Sequence, residues 1–303
     1  MSQASLLPIQ PRHVIQQFNR RAPLDSSQFI YGEIAQRMLS RLSYIRLDAK
    51  HVLDAGCGAG HALDPLRSRY PDMDYVGIDA SPALLAVANE RHAKQASLWD
   101  RLRNHSRKPV RFIEADLATP VLPAESINLL WSNMALHWHP EPEAVFSEWR
   151  RVLAPEGLAM FSTLGPGSFA ELRAALHSVD PDDHTLQFVD MHDYGDQMLH
   201  NGFTDPVMDQ EVITLTYQSA EKLLNEVHAL GGNAHTARRD GMRGRGWRQR
   251  LIAALESQRH MDGTIHLTLE VAYGHAWRAT TRKNAATGEV HIPISSIGRR
   301  KSS

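Results

Sequence analysis

His51-Val52-Leu53-Asp54-Ala55-Gly56-Cys57-Gly58-Ala59-Gly60 reads as a short buried strand running into a glycine-spaced turn and then a helix. Val52 and Leu53 favour a strand, and glycines at 56, 58 and 60 let the backbone turn tightly and approach a ligand closely. The spacing G-x-G-x-G is one residue shorter than the dinucleotide fingerprint G-x-G-x-x-G. That points away from a pyrophosphate seated on a helix N-terminus. It suits a ligand with an amino-acid end, whose ammonium and carboxylate meet Asp54 and backbone groups of the loop. Alone, the triplet is equally a plain strand-to-helix turn.

Three further strand tips sharpen the reading. Tyr75-Val76-Gly77-Ile78-Asp79 is a second strand ending in a carboxylate, placed to accept hydrogen bonds from ribose hydroxyls. Ser81-Pro82 then reads as an N-cap with proline at the first helical position. Val110 to Ile113 leads into Glu114-Ala115-Asp116, whose carboxylate suits an adenine amino group, and Ile127 to Asn133 ends in a polar tip. Glycine turn, two acidic tips and a polar tip, in that order, resemble the class I S-adenosylmethionine (SAM) methyltransferases. The resemblance implies an α/β fold: a doubly wound, mostly parallel sheet of seven strands, Rossmann-like. A helical lid would precede it and a helical insertion would come before the last strand.

The 303 residues are 42% hydrophobic and 22% charged with a net charge of −1, so no global field favours nucleic acid. The single cysteine, Cys57, allows no internal disulfide and no cysteine-based zinc site, which fits a reducing, cytoplasmic setting. In its turn Cys57 reads as a small residue filling a crowded bend. No apolar run reaches the roughly 18 residues of a membrane span, and no apolar signal core is seen.

Residues 1–12 are expected to be disordered, and the methyltransferase domain is expected to occupy 13–278. Within it, 13–45 forms the lid: His13 to about Leu42 is helical in pattern, with Ile34, Met38 and Leu42 at four-residue spacing. Arg20 and Arg21 are either a solvated face or part of the pocket, and Tyr31 either packs or closes on a ligand. His92 to Pro109 reads as a helix extension and surface loop. Pro140 to Val152 gives a helix, Leu158 to Thr163 a fifth strand, and Phe169 to Val179 another helix. Glu211–Tyr217 and Ile265–Tyr273 alternate as antiparallel strands at a sheet edge do.

The insertion, 218–262, holds a helix from Ser219 with Leu223, Leu224, Val227 and Leu230 on one face, stopped at Gly231-Gly232. Arg238 to Arg250 then carries six arginines against one aspartate. This run is either solvated surface or a dock for an acidic partner. The tail, 279–303, is polar and basic and is expected to be disordered.

The resemblance narrows further. Trp131-Ser132-Asn133-Met134-Ala135-Leu136-His137-Trp138 and Phe161 to Arg173 are similar to segments of the BioC family, the malonyl-acyl-carrier-protein O-methyltransferases of biotin synthesis. The likeness runs from about Phe18 to Trp277. It departs at Leu24-Asp25, where that family has Tyr-Asp, and at Gln187, where it often has arginine. A second relative, the mitochondrial complex I assembly factor linked to arginine hydroxylation, has a leader resembling Phe29-Ile30-Tyr31-Gly32-Glu33 and a similar His-Trp pair. A SAM-dependent methyltransferase of another small acid, or a SAM-binding protein without catalysis, also remains open.

Carried over residue by residue, the resemblance implies SAM as cofactor. It would be held by Arg21, Asp54, Gly56, Gly58, Gly60, Asp79, Ala80, Asp116, Leu117, Asn133 and Met134. His137, Tyr31 and Arg173 stand as catalytic candidates, with Trp138 and Arg21 also near the acceptor. A malonyl carboxylate is ionised at pH 7, so the reaction needs alignment and water exclusion rather than a base. The implied partner is an acidic acyl carrier protein docking on Arg238–Arg250, with no nucleic acid or membrane partner and a monomer or weak dimer. The seventeen histidines are scattered, and His137-Trp138-His139 is too short to bind a metal alone.

Overall fold

In the computed structural model, residues 6–93, 109–180, 182, 184–238, 241 and 243–279 are described. The chain opens with α1 (Pro11–Arg21) and α2 (Gln28–Leu42) and enters the sheet at β1 (His51–Ala55). There follow α3 (Leu63–Arg69), β2 (Asp74–Asp79), α4 (Pro82–Ala93), β3 (Val110–Glu114) and β4 (Ile127–Asn133). A 3-10 turn (Leu136–Trp138) leads to α5 (Pro142–Val152), β5 (Leu153–Leu164), α6 (Ala170–Val179) and α7 (Met191–His200). β6 (Phe203–Tyr217), α8 (Ala220–Ala229), α9 (Arg245–Glu256) and β7 (Ile265–Arg278) complete it.

The seven strands form one sheet in the order β3-β2-β1-β4-β5-β7-β6. β1 to β5 pair in parallel, while β7 runs antiparallel to both β5 and β6. This is the doubly wound, mostly parallel sheet that the strand tips imply. The central strands β1 and β4 are buried on both faces, as helices on each side require. β6 alternates half-buried and exposed residues because it lies at the edge. After β3 the chain returns to the other side of β1, so the carboxyl ends of β1 and β4 flank a topological switch point, where such sheets hold ligands.

Two cores sandwich the sheet. One packs Ile34, Met38 and Leu42 of α2 with Leu172, Leu223 and Leu255 of the later helices. The other centres on Phe146, whose ring meets those of Trp149, Phe161, Tyr194 and Phe203 edge-on or tilted. α1 contributes no fully buried residue and lies across the carboxyl edge as a lid.

Several expectations change in detail. The helical stretch from His13 to Leu42 is two helices, because Pro23 lacks the N–H that a continuous helix would need. Part of the leader expected to be disordered is held: Ile9 bridges His235, Leu7 N–H donates to Pro140 (2.9 Å), and Gln10 N–H donates to Ala234 (2.9 Å). Those partners lie far along the chain and leave no periodic signal. β5, β6 and β7 all extend beyond the bounds expected of them. Ser219 does cap α8, its hydroxyl accepting from Lys222 N–H. Most of the expected loop between α4 and β3, the first five residues, and the tail beyond Ala279 lie outside the described residues. No helix among the described residues is long and apolar enough to cross a membrane.

Candidate active site

A cavity of about 240 Å³ opens at the switch point, floored by the tips of β1, β2 and β4 and roofed by α1 and α2. The turn after β1 is built for close approach. Gly56 has φ +81°, and a Cβ there would stand 2.3 Å from the Cβ of Ala135, so no larger residue fits. Cys57 is buried with its sulfur against Gly77 and fills the bend as expected.

The carboxylates of this wall are fixed by short bonds. Asp54 is buried and accepts from the Tyr75 hydroxyl at 2.5 Å. Burial outweighs that bond and pushes its pKa up to about 7. Asp79 accepts from Gly58 N–H at 2.9 Å and Ser81 N–H at 2.8 Å, which ties the second strand tip to the glycine turn. Its pKa is also raised by burial. Ser81 in turn caps α4 through Leu84 N–H and donates to Asn19 of the lid (2.7 Å). Two desolvated carboxylates make this end of the cavity receptive to a cation. It suits a sulfonium donor with an amino-acid ammonium, while Gly56 and Gly58 bring backbone within reach of its carboxylate.

Further along, Asp116 accepts from His139 (3.1 Å) and from Ala118 N–H (2.8 Å), which hold its carboxylate below the usual range. Ala80, Leu117 and Met134 line the same wall. The Asn133 amide donates to the carbonyl of Tyr31 (3.0 Å) and accepts from Ser162 (2.8 Å). Tyr31 lines the cavity, but its hydroxyl donates to Leu230 (2.9 Å) and burial raises its pKa, so it fastens the lid to the insertion as a neutral phenol. Phe18 meets Trp138 edge-on at 5.4 Å, and the indole lies against Gly231.

Arg20 and four of the candidate cofactor and catalytic residues do not line the cavity. Gly60 faces His92 and Phe112. His137 is buried with its ring against Trp138 and Phe188 and Nδ1 3.3 Å from Thr163; burial drops its pKa to about 3, so it is neutral. Arg173 returns its guanidinium to the carbonyl of Pro166 (2.6 Å), one turn before its own helix. Arg21 sits beside Tyr31, against the Gly231-Gly232 turn. Conversely, Tyr75, Ser162, His139 and Gly231 act at the site without any sequence signal, since each contact depends on strand register or a loop crossing.

Outside the cavity, Asp180, Asp182 and His184 offer ligand atoms within 4.8 Å of one another. Arg243 already bonds both carboxylates and Trp247 donates to Asp180, so a guanidinium occupies that acidic cluster.

Comparison with known proteins agrees with this geometry. A family model described as a methyltransferase domain matches residues 53–161. Over 292 residues the chain is 39% identical to the malonyl-acyl-carrier-protein O-methyltransferase of Nitrosospira multiformis, covering 94% of this chain and 95% of that one. It is 40% identical over 272 residues to the protein of the same name from Gallionella capsiferriformans, covering 89% and 91%. Among solved structures, the YcgJ protein of Bacillus subtilis shares the fold with TM-score 0.57 and 16% identity, over 80% of this chain and 98% of that one.

Proposed function

Because this chain belongs to the malonyl-acyl-carrier-protein O-methyltransferase family, we propose that it esterifies the free carboxylate of a malonyl thioester carried on an acyl carrier protein. The reading places it in biotin synthesis, and the lone cysteine fits a cytoplasmic setting. SAM is the cofactor, and it supplies an electrophilic methyl on a sulfonium that departs as a neutral thioether. Asp54, Gly56 and Gly58 are suited to its amino-acid end, Asp79 and Ala80 to its ribose, and Asp116 and Leu117 to its adenine; Asn133 and Met134 close the wall between.

One observation carries the assignment: the cavity joins a cation-receptive end to an apolar lid, whose Val14, Ile15, Phe18 and Trp138 carry neither acid nor base. These side chains exclude water there, His137 of the following turn is turned away and neutral, and His139 just beyond it is bonded to Asp116. A carboxylate acceptor arrives ionised and needs no proton removed, so alignment and desolvation suffice. An alcohol or amine acceptor would call for a base, which the apolar lid residues do not supply.

The carrier would dock on the exposed side of α9. Arg245, Arg248 and Arg250 are exposed there, whereas Arg243 is withdrawn into its pairs with Asp180 and Asp182. Arg239 lies outside the described residues. An acidic carrier would be steered to such a patch. The test is incubation with methyl-labelled SAM and malonyl-carrier protein. Label in a base-labile methyl ester on the carrier supports the assignment; SAM binding with no ester formed overturns it.

A further inference from the structure

α1 ends in an arginine with no bond to make. Nε, Nη1 and Nη2 of Arg21 are all shielded from solvent, and among the described residues none has a hydrogen-bond partner. A guanidinium stays charged in proteins, and a buried charge without partner is among the costliest arrangements a fold can hold. The side chain lies where α1, α2 and the insertion meet: a Cβ on Gly232 would stand 2.9 Å from Nη2. Phe18, one turn earlier on the same face of α1, and Tyr31 both line the cavity. The ionisable groups that bear on the guanidinium are Tyr31, Arg20 and His228; neither Asp54 nor Asp79, which mark the donor end, is among them. Glu226 also has a buried unpaired oxygen, but it bears on Tyr31 and Tyr217 rather than on Arg21. Among the described residues nothing bonds the guanidinium, which leaves it able to take an anion.

We infer that Arg21, which lies behind Phe18 and Tyr31 rather than in the cavity wall, turns toward the acceptor when it enters beneath the lid, binds its free carboxylate and so selects malonyl over uncharged acyl thioesters. This rests on the proposed reaction. The planar fork grips one carboxylate oxygen and leaves the other directed at the methyl group. It also supplies the alignment that an ionised acceptor, which needs no base, leaves to geometry. The donor's own amino-acid carboxylate is the other anion of matching chemistry, and the test separates the two.

The experiment compares the full-length protein with its Arg21→Met and Arg21→Lys variants. Arg21→Met should lower kcat/KM for malonyl-carrier protein about 100-fold, with Arg21→Lys recovering part of the loss. Binding of S-adenosylhomocysteine should change less than 3-fold. With that product bound, the wild type should favour malonyl-pantetheine over acetyl-pantetheine at least 30-fold, and Arg21→Met should lose that preference. The thermal midpoint of Arg21→Met should hold or rise, because a desolvated charge has gone. Methylation by Arg21→Met at the wild-type rate, or a matching loss of S-adenosylhomocysteine affinity, overturns the inference. So does a lowered midpoint with the malonyl preference kept, which would make the arginine structural. Failure of the wild type to methylate malonyl-carrier protein sinks the proposed reaction itself and is read separately.

Discussion

The side-chain amide of Asn133 donates to the backbone carbonyl of Tyr31 at 3.0 Å, joining the tip of β4 to the lid helix α2. Ser162 holds the other end of that amide, so one side chain couples sheet, cavity wall and lid. Asn133→Asp removes the donor and sets a carboxylate against a carbonyl. The lid should loosen at a cost of about 1–3 kcal/mol. Titration calorimetry should show S-adenosylhomocysteine binding weakened about 10-fold, and hydrogen exchange should rise across 28–42. Unchanged exchange there would mean the lid is held elsewhere.

The strands, their order of use and the acidic tips were legible because parallel strands buried on both faces announce themselves as short apolar runs before a turn. Val52-Leu53, Val76-Gly77-Ile78 and Leu129-Leu130-Trp131 are such runs. What lay beyond reading was side-chain direction. His137 and Arg173 sit beside the cavity in sequence, yet one turns beneath Phe188 and the other folds back to Pro166. The break at Pro23 and the strap of residues 7–10 depend on partners more than a hundred residues away or on a single missing N–H. The significance of Arg21 lies in bonds it does not make, which no pattern of residues encodes.

Asp54 should act as a proton gauge for the donor. Its folded pKa of about 7 lies above the ordinary 3.8, so in the free protein it is about half protonated at pH 7. A bound ammonium or sulfonium favours the carboxylate. Binding near pH 7 should therefore release about half a proton, visible as a dependence of binding enthalpy on buffer ionisation. Because the raised pKa costs stability as pH rises from about 4 to 7, Asp54→Asn should flatten that slope and abolish the release. Tyr75→Phe, which removes a bond to the carboxylate, should enlarge the release.

Gly231 is required by Trp138. Its φ is +138°, and a Cβ there would lie 2.2 Å from Cζ2 of the indole. Gly231→Ala should lower stability by about 1–3 kcal/mol and displace the indole from Phe18, raising KM for the acceptor. In a Trp138→Ala background the same substitution should cost only its backbone part, which a double-mutant cycle measures. Equal costs in both backgrounds would remove the indole from the explanation.

His137 should govern acid stability and leave chemistry untouched. Its folded pKa of about 3 lies below the ordinary 6.5, so the unfolded chain binds the proton first. The contribution is complete above pH 6.5 and is lost as pH falls from there toward 3, at about 1.4 kcal/mol per unit. His137→Gln cannot titrate. Urea unfolding at pH 7.5 and 5.0 should show the wild type losing about 2 kcal/mol more than the variant. At pH 7.5 the variant's kcat should stay within about threefold, since the ring does not line the cavity; a 100-fold fall would restore His137 to the mechanism.

The arginines of α9 should matter only when the substrate is carried by a protein. Arg245, Arg248 and Arg250 are exposed and belong to neither core, so reversing all three to glutamate should leave the thermal midpoint within a few degrees. Steering by charge acts on encounter, and it weakens as salt shortens the Debye length from about 10 Å at 0.1 M. With malonyl-carrier protein, kcat/KM should fall about 10- to 100-fold at low salt. The gap to the wild type should close as salt rises toward 0.5 M. With malonyl-pantetheine, which has no protein to dock, the two should run alike at every ionic strength. A loss shared by both substrates would place the defect in the cavity, and no loss with either would move the carrier's dock to another face.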